Sequence, residues 1–238
     1  MADREPGAFR FIKGVVRPFM TLTTKRDWRG GEHIPSTGAC ILAPNHTSDF
    51  DPLAIGHFIV EQGRMPHFLG KKEVVDMPVL GRLFKAAGQI PVYRGTATAV
   101  NAYRDAIAAL ERGECIGVYP EGTVTRDPNL WPMMGKTGTA RMALTTGAPV
   151  IPIAQWGAHF VIPRKTLAFH LFPRKTMHVH AGEPVDLDDL RGRELTAEVL
   201  DEATERIMMA ITMLLAEIRG ELPPAERYNP RQRGREQS

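Results

Sequence analysis

Two side chains set the chemistry open to this chain: His46 and Asp51, within Asn45-His46-Thr47-Ser48-Asp49-Phe50-Asp51-Pro52. An imidazole that donates one ring N–H to a carboxylate keeps the lone pair on its other nitrogen free to take a proton. Residues five apart on a helix do not share a face, because each residue advances about 100°. The pair therefore works only if His46 lies in a turn and Asp51 opens a helix. The flanking residues fit that requirement. Cys40-Ile41-Leu42-Ala43 is a short apolar run that reads as a buried strand, and residues 53–60 are an apolar-rich segment that reads as a helix. Asp is a favoured N-cap and Pro suits the first helical position, so Asp51-Pro52 marks the helix start. A second reading stays open at this stage: Asp51 only caps, and His46 is a polar loop residue.

Further along, the same placement recurs. Gln89-Ile90-Pro91-Val92-Tyr93 is strand-like, with a proline that argues against a central position, and Arg94 follows it directly. Cys115-Ile116-Gly117-Val118-Tyr119 reads as a buried strand, followed by Pro120-Glu121-Gly122-Thr123. Helical patterns alternate with these runs: 79–87 ending at Gly88, 97–112 ending at Gly113, and 136–146 leaving through Gly147-Ala148-Pro149. Phe68-Leu69-Gly70, Val150-Ile151-Pro152-Ile153-Ala154 and residues 177–181 read as further strands, and 196–219 as the longest helix. The alternation predicts an α/β fold: a single domain with a mostly parallel central sheet flanked by helices, preceded by an N-terminal amphipathic helical segment. In such sheets functional groups gather at the carboxyl ends of strands. His46, Arg94 and Glu121 each stand at such an end.

Composition bounds the rest. With 43% hydrophobic and 24% charged residues, the 238-residue chain has the profile of one ordinary globular core. Cys40 and Cys115, far apart in sequence, read as reduced core residues, and no metal-ligand spacing is present. No apolar run reaches the roughly 20 residues that cross a bilayer, and the charged start does not read as a signal peptide. In residues 1–27, Phe9, Phe11, Ile12, Val15, Val16, Phe19 and Met20 alternate with Arg10, Lys13 and Arg17, a membrane-surface pattern. A terminal helix docked on its own domain fits equally, and the two can coexist. Residues 28–220 form the expected domain, and 221–238, rich in Arg, Gln, Glu and Pro, a disordered basic tail. Between 159 and 183, Pro163-Arg164-Lys165 recurs as Pro173-Arg174-Lys175 among phenylalanines, as in a basic edge hairpin. No nucleic-acid recognition module, Rossmann or P-loop fingerprint, or Gly-x-Ser-x-Gly elbow is present.

Four ordered blocks now carry a resemblance to the glycerophospholipid acyltransferases of the 1-acylglycerol-3-phosphate acyltransferase type. They are Asn45-His46-Thr47-Ser48-Asp49-Phe50-Asp51, Gly88-Gln89-Ile90-Pro91-Val92-Tyr93-Arg94, Val118-Tyr119-Pro120-Glu121-Gly122-Thr123 and Val150-Ile151-Pro152-Ile153-Ala154. The resemblance implies that His46 is the general base on an acceptor hydroxyl, which attacks an acyl thioester directly, and that Asp51 holds the imidazole tautomer. It implies acceptor binding by Glu121, Gly122 and Thr123, and phosphate binding by Arg94, whose guanidinium can grip a phosphate bidentately, with Lys71 as a further basic position. In one place the chain departs from the pattern: Val124 stands where the family commonly has arginine, and Arg126 is expected to reach the phosphate by a different loop path.

The implied donor is acyl-CoA or acyl-carrier protein, with no resident cofactor or metal. The implied acceptor is lysophosphatidic acid, giving phosphatidic acid at the cytoplasmic face of the cell membrane, with the enzyme bound peripherally. Alternatives are the same chemistry on glycerol-3-phosphate, another lysophospholipid or a glycolipid, a non-catalytic lipid-binding module, or, more distantly, a hydrolase.

Overall fold

The computed structural model describes residues 12–71, 90–92, 97–164, 166 and 168–230. The expected helix at 79–87 and Arg94 lie outside these residues. Strand β2 (Cys40–Pro44) is buried along its whole length. A strand without polar alternation stays in register only when both of its faces are covered. Here Ile41 and Ala43 pack toward helices α3 (Ala97–Glu111), α4 (Gly138–Thr146) and α5 (Ala197–Arg219), against Ala106, Ala140, Ile207 and Ile211 among others. Cys40 and Leu42 point the other way, toward Ile55, Phe58 and Ile59 of α2 (Asp51–Glu61). Each such fully buried aliphatic side chain stabilises the fold by roughly 1.5–3 kcal/mol.

Around β2 the strands β1 (Thr24–Arg29), β3 (Pro66–Lys71), β4 (Ile90–Val92), β5 (Cys115–Gly117), β6 (Val150–Trp156) and β7 (Lys175–Ala181) complete one sheet, in the order β1-β7-β6-β2-β5-β3-β4. Every pairing is parallel except that of β6 with β7. This is the expected α/β architecture, with β4 and its proline at an edge. Helix α5 starts at Thr196, whose hydroxyl accepts from the Val199 N–H, and ends at Gly220 in the left-handed region. Its buried stripe runs through Leu200, Ala203, Ile207, Ile211 and Leu215, with Leu214 and Ile218 only partly covered.

Several expectations change. Residues 24–29 are an edge strand parallel to β7, so the boundary expected between residues 27 and 28 falls inside β1. Thr-Lys-Arg-Asp-Trp-Arg carries almost no hydrophobic signal because an edge tolerates charge on both faces. Residues 157–174 do connect an antiparallel pair, but β7 is not an edge, since β1 covers it. The cysteine reading does not change: Cys40 and Cys115 are free, buried thiols, facing each other across the β2–β5 register with Sγ atoms 3.1 Å apart. The expected tail is docked at least through residue 230. The Tyr228 carbonyl accepts from the Met134 N–H at 3.1 Å, and Arg227 pairs with Glu205 at 2.5 Å.

The N-terminal segment is docked on its own domain, one of the two readings offered for it. A π-helical turn (Ile12–Val16) leads into α1 (Arg17–Thr23), with Pro18 in its first turn. Val16 and Met20 pack against Phe50, Ala54, Val161 and Met177, while Val15, Phe19 and Leu22 remain exposed. Two of its basic side chains are paired: Arg17 with Glu61 at 2.5 Å, and Arg26 with Glu61 at 3.7 Å and His57 at 3.2 Å. Among the described residues no helix is long and apolar enough to cross a membrane.

Candidate active site

β2 ends its pairing at Asn45, whose N–H donates to the Ile153 carbonyl, and the chain turns into α2 through residues 45–50. Asp51 is the first residue of that helix and Phe50 its N-cap, with Pro52 in the first turn. Asp51 does not cap the helix in the expected way. Its carboxylate turns back onto the preceding turn, where Oδ2 accepts from the Thr47 N–H at 2.6 Å, the Ser48 N–H at 2.9 Å and His46 Nδ1 at 2.9 Å. Oδ1 accepts from the Thr47 hydroxyl at 3.2 Å. Burying a carboxyl group (0% exposed) is costly unless its oxygens are hydrogen-bonded, and this donor set supplies those bonds. Because Asp51 accepts, Nδ1 of His46 carries the proton and Nε2 presents the lone pair.

His46 is held on its other sides by the segment that follows β5. Its N–H donates to Glu121 Oε1 at 2.9 Å, and its carbonyl accepts from the Thr125 N–H at 2.7 Å. Its ring stacks on Tyr119, with centroids 4.0 Å apart and planes at 23°. Main chain and ring are thus both fixed, which is the preorganisation that a general base requires.

Glu121 is 2% exposed, and its second oxygen accepts from the Met133 N–H at 3.0 Å. Burial pushes its carboxyl up to about 8, against the pull of the Met133 and His46 amides. Both oxygens accept from main-chain donors, so Glu121 ties the catalytic turn to the loop that carries Met133. Gly122 has φ +68°, and a Cβ there would come within 2.8 Å of Lys136 Nζ. The turn therefore needs a residue without a side chain at that position. Thr123 is half-buried in the same turn. Arg126 is exposed on the loop immediately after Thr125, and its N–H lies 3.1 Å from Met133 Sδ. Lys71 ends β3, and Arg94 is outside the described residues. The described residues therefore unite His46, Asp51, Glu121 and Gly122 in one site, with Arg126 beside it.

Residues absent from the sequence expectations also build the site. Tyr119 supplies the ring platform. Arg164 Nη1 donates to the carbonyls of Thr125 at 2.8 Å and Asp127 at 3.0 Å, and the Ser48 hydroxyl donates to the Ile162 carbonyl at 2.7 Å, so residues 158–164 lie across the catalytic turn. His159 lies tilted between Trp156 and Phe160, with ring centroids 4.2 and 4.0 Å away, and burial pushes its imidazole down to about 4. Tyr119 sits inside the third sequence block, where its position before Glu121 was the available signal. Arg164 stood out only as part of a recurring basic motif that read as a hairpin, and His159 lies in no periodic segment and gave no signal.

A family model described as Acyltransferase matches residues 25–156, more than half of the chain. A protein of Bacillus subtilis named 1-acyl-sn-glycerol-3-phosphate acyltransferase is 24% identical over 202 residues, covering 84% of this chain and 94% of the relative. A Borreliella burgdorferi protein of the same name is 28% identical over 181 residues, 75% of this chain and 70% of that one. The chain spans less of the chloroplastic enzyme of that name from Brassica napus, 39% of its length at 28% identity. The crystal structure of the 1-acyl-sn-glycerophosphate acyltransferase from Thermotoga maritima shares the fold, with a TM-score of 0.72 at 24% identity over 94% of this chain and 86% of the other. The four blocks, the histidine–aspartate pair they assemble and the matched family model lead to one statement: the chain belongs to the acyltransferase family.

Proposed function

We propose that this protein moves a fatty acyl group from an acyl thioester to the free hydroxyl of lysophosphatidic acid, giving phosphatidic acid for phospholipid synthesis. The observation that carries the reading is the 2.9 Å contact of His46 Nδ1 with Asp51, clamped at the carboxyl end of a central strand. Nε2 of His46 takes the acceptor hydroxyl proton as that oxygen attacks the thioester carbonyl. Collapse of the tetrahedral intermediate expels the thiolate, which recovers the proton from the imidazolium. Asp51 stabilises that imidazolium in between. Base catalysis of this kind contributes roughly 10²–10⁴-fold, and the remainder comes from positioning and oxyanion stabilisation.

Lys71, Arg94 and Arg126 are the cations assigned to the acceptor phosphate, and acyl-CoA or acyl-carrier protein is the donor. The working site is a membrane surface at the cytoplasmic face. Exposed Val15, Phe19 and Leu22 in the N-terminal segment, Leu53 near Asp51 and Phe160 favour a membrane surface. The N-terminal helix packs on α2, the helix that Asp51 opens, and α2 packs on the 158–160 turn.

The test is an acceptor panel of lysophosphatidic acid, glycerol-3-phosphate, other lysophospholipids and a glycolipid, each with the same acyl-CoA and with acyl-carrier protein. Wild type should acylate lysophosphatidic acid best, and His46→Ala should lose nearly all transfer. Transfer retained by His46→Ala would overturn the mechanism. Preference for another acceptor would overturn the substrate and leave the chemistry standing.

A further inference from the structure

Gln155 lies on β6, one residue past the fourth sequence block, and is fully buried. Its main chain is bound to the residue preceding the catalytic histidine. Asn45 Nδ2 donates to the Gln155 carbonyl at 3.0 Å, and the Gln155 N–H donates to Asn45 Oδ1 at 2.7 Å. Its side-chain amide satisfies its surroundings in one orientation. Nε2 then donates to Asp51 Oδ1 at 2.8 Å and lies 3.2 Å from Thr47 Oγ1, while Oε1 accepts from the Ala158 N–H at 2.9 Å. The reverse orientation would set a carbonyl oxygen against a carboxylate and an NH₂ against an N–H.

The donors around Asp51 divide unequally. Those on Oδ2 all come from the 46–48 turn, whereas among the described residues Oδ1 has the Thr47 hydroxyl and the Gln155 amide. At Oδ1 the hydroxyl contact is long at 3.2 Å, so the 2.8 Å amide contact is the firmer hold on the carboxylate plane. Among the described donors, Gln155 is the one that reaches Asp51 from outside the turn. It is also the link from Asp51 to the 158–160 turn that carries His159 and Phe160.

We propose that Gln155 is a positioning residue of the acyl transfer reaction: through Asp51 Oδ1 it fixes the carboxylate plane and so the line from Asp51 Oδ2 to His46 Nδ1. It touches no substrate, and its effect passes through Asp51. The inference rests on the acyl-transfer reading of the site.

Gln155→Met keeps the volume and removes the amide. It should lower kcat roughly 10–100-fold while leaving KM for lysophosphatidic acid and acyl-CoA within about twofold, because ground-state binding is untouched. Gln155→Asn keeps a buried amide one methylene too short to reach Asp51 and should show the same kcat loss, which serves if the Met variant folds poorly. The deciding measurement is the double variant Asp51→Asn/Gln155→Met. Its kcat should match that of Asp51→Asn alone, since a residue acting through Asp51 has nothing further to lose. Multiplied losses in the double variant, a KM rise at unchanged kcat, or full activity in Gln155→Asn would each overturn the proposal. Run alongside, an inactive His46→Ala with fully active Gln155 variants sinks this inference alone, whereas an active His46→Ala sinks the catalytic reading beneath it.

Discussion

Replacing Glu121 with alanine separates a residue that organises the site from one that binds the acceptor. The Glu121 carboxyl group satisfies two buried main-chain donors, the N–H groups of His46 and Met133. Each orphaned buried donor costs roughly 1–3 kcal/mol, so the variant should lose about 2–6 kcal/mol where the wild type is at its best. That best is pH-dependent. Burial raises the folded-state carboxyl to about 8, above its ordinary value of 4.5, so the folded chain holds this proton more tightly than the unfolded one. The corresponding stability is fully present below pH 4.5 and is lost as pH rises through 8. Between pH 6 and 9 the wild type should lose roughly 2–3 kcal/mol from this group, and Glu121→Ala should lose none of it. Urea unfolding of both proteins at the two pH values reads the difference directly. Initial rates should show a fall in kcat, because the His46 main chain loses an anchor, with little change in acceptor KM. An unchanged urea midpoint together with a tenfold rise in acceptor KM would refute the reasoning and return Glu121 to the acceptor.

Other perturbations follow from the same geometry. Burial, aided by Arg26, holds His57 down to about 4, and burial does the same for His159, so both are neutral at pH 7. Their stability is present above the ordinary 6.5 and lost as pH falls toward 4, and replacing both with phenylalanine should flatten the fall in urea midpoint over that window. Phe19→Glu with Leu22→Glu should abolish sedimentation with anionic liposomes while the thermal midpoint stays within a few degrees, since both side chains are exposed. Deleting residues 1–27 would be a poor substitute, because it removes most of β1. Arg126→Ala should raise KM for lysophosphatidic acid several-fold and leave KM for an uncharged monoacylglycerol unchanged. Equal effects on both acceptors would take the phosphate away from this side chain.

Much of the sheet was legible because its central strands are continuous apolar runs, Cys40-Ile41-Leu42-Ala43 and Val150-Ile151-Pro152-Ile153-Ala154, and these signal burial without tertiary information. β1 was not, since an edge strand need bury little, and Thr24-Lys25-Arg26-Asp27-Trp28-Arg29 reads as a basic linker until β7 is beside it. Docking of residues 221–230 was hidden for a related reason. It depends on single long-range contacts, such as Arg227 with Glu205, that leave no periodicity. At the site, His46 and Asp51 were readable from strand–turn–helix spacing. The role of Glu121 was not, because a glutamate that binds main-chain amides and one that binds ligand look alike in one dimension. Arg64 shows the same blindness. It is a buried arginine whose guanidinium donates to the carbonyls of Gly38 at 2.6 Å and Gly113 at 3.3 Å, tying two loops together without any motif.

Strand order explains why one short motif says little and the blocks together say much. β2 lies between β5 and β6, two strands that come much later in the chain. Glu121 reaches the His46 main chain from 75 residues away, and Gln155 reaches Asn45 from 110. A histidine and an aspartate at this spacing arise easily by chance, and alone they leave the imidazole free to turn. The third block provides the stacked Tyr119 ring and the Glu121 anchor, and the fourth ends one residue before the amide that meets Asp51. These blocks are therefore the fixings of the first one, brought into contact by the crossover of a parallel sheet, whose carboxyl edge is where such a site can be assembled. A chain that kept His46 and Asp51 but lost Glu121 or Gln155 would keep the motif and lose the geometry that makes the imidazole a directed base.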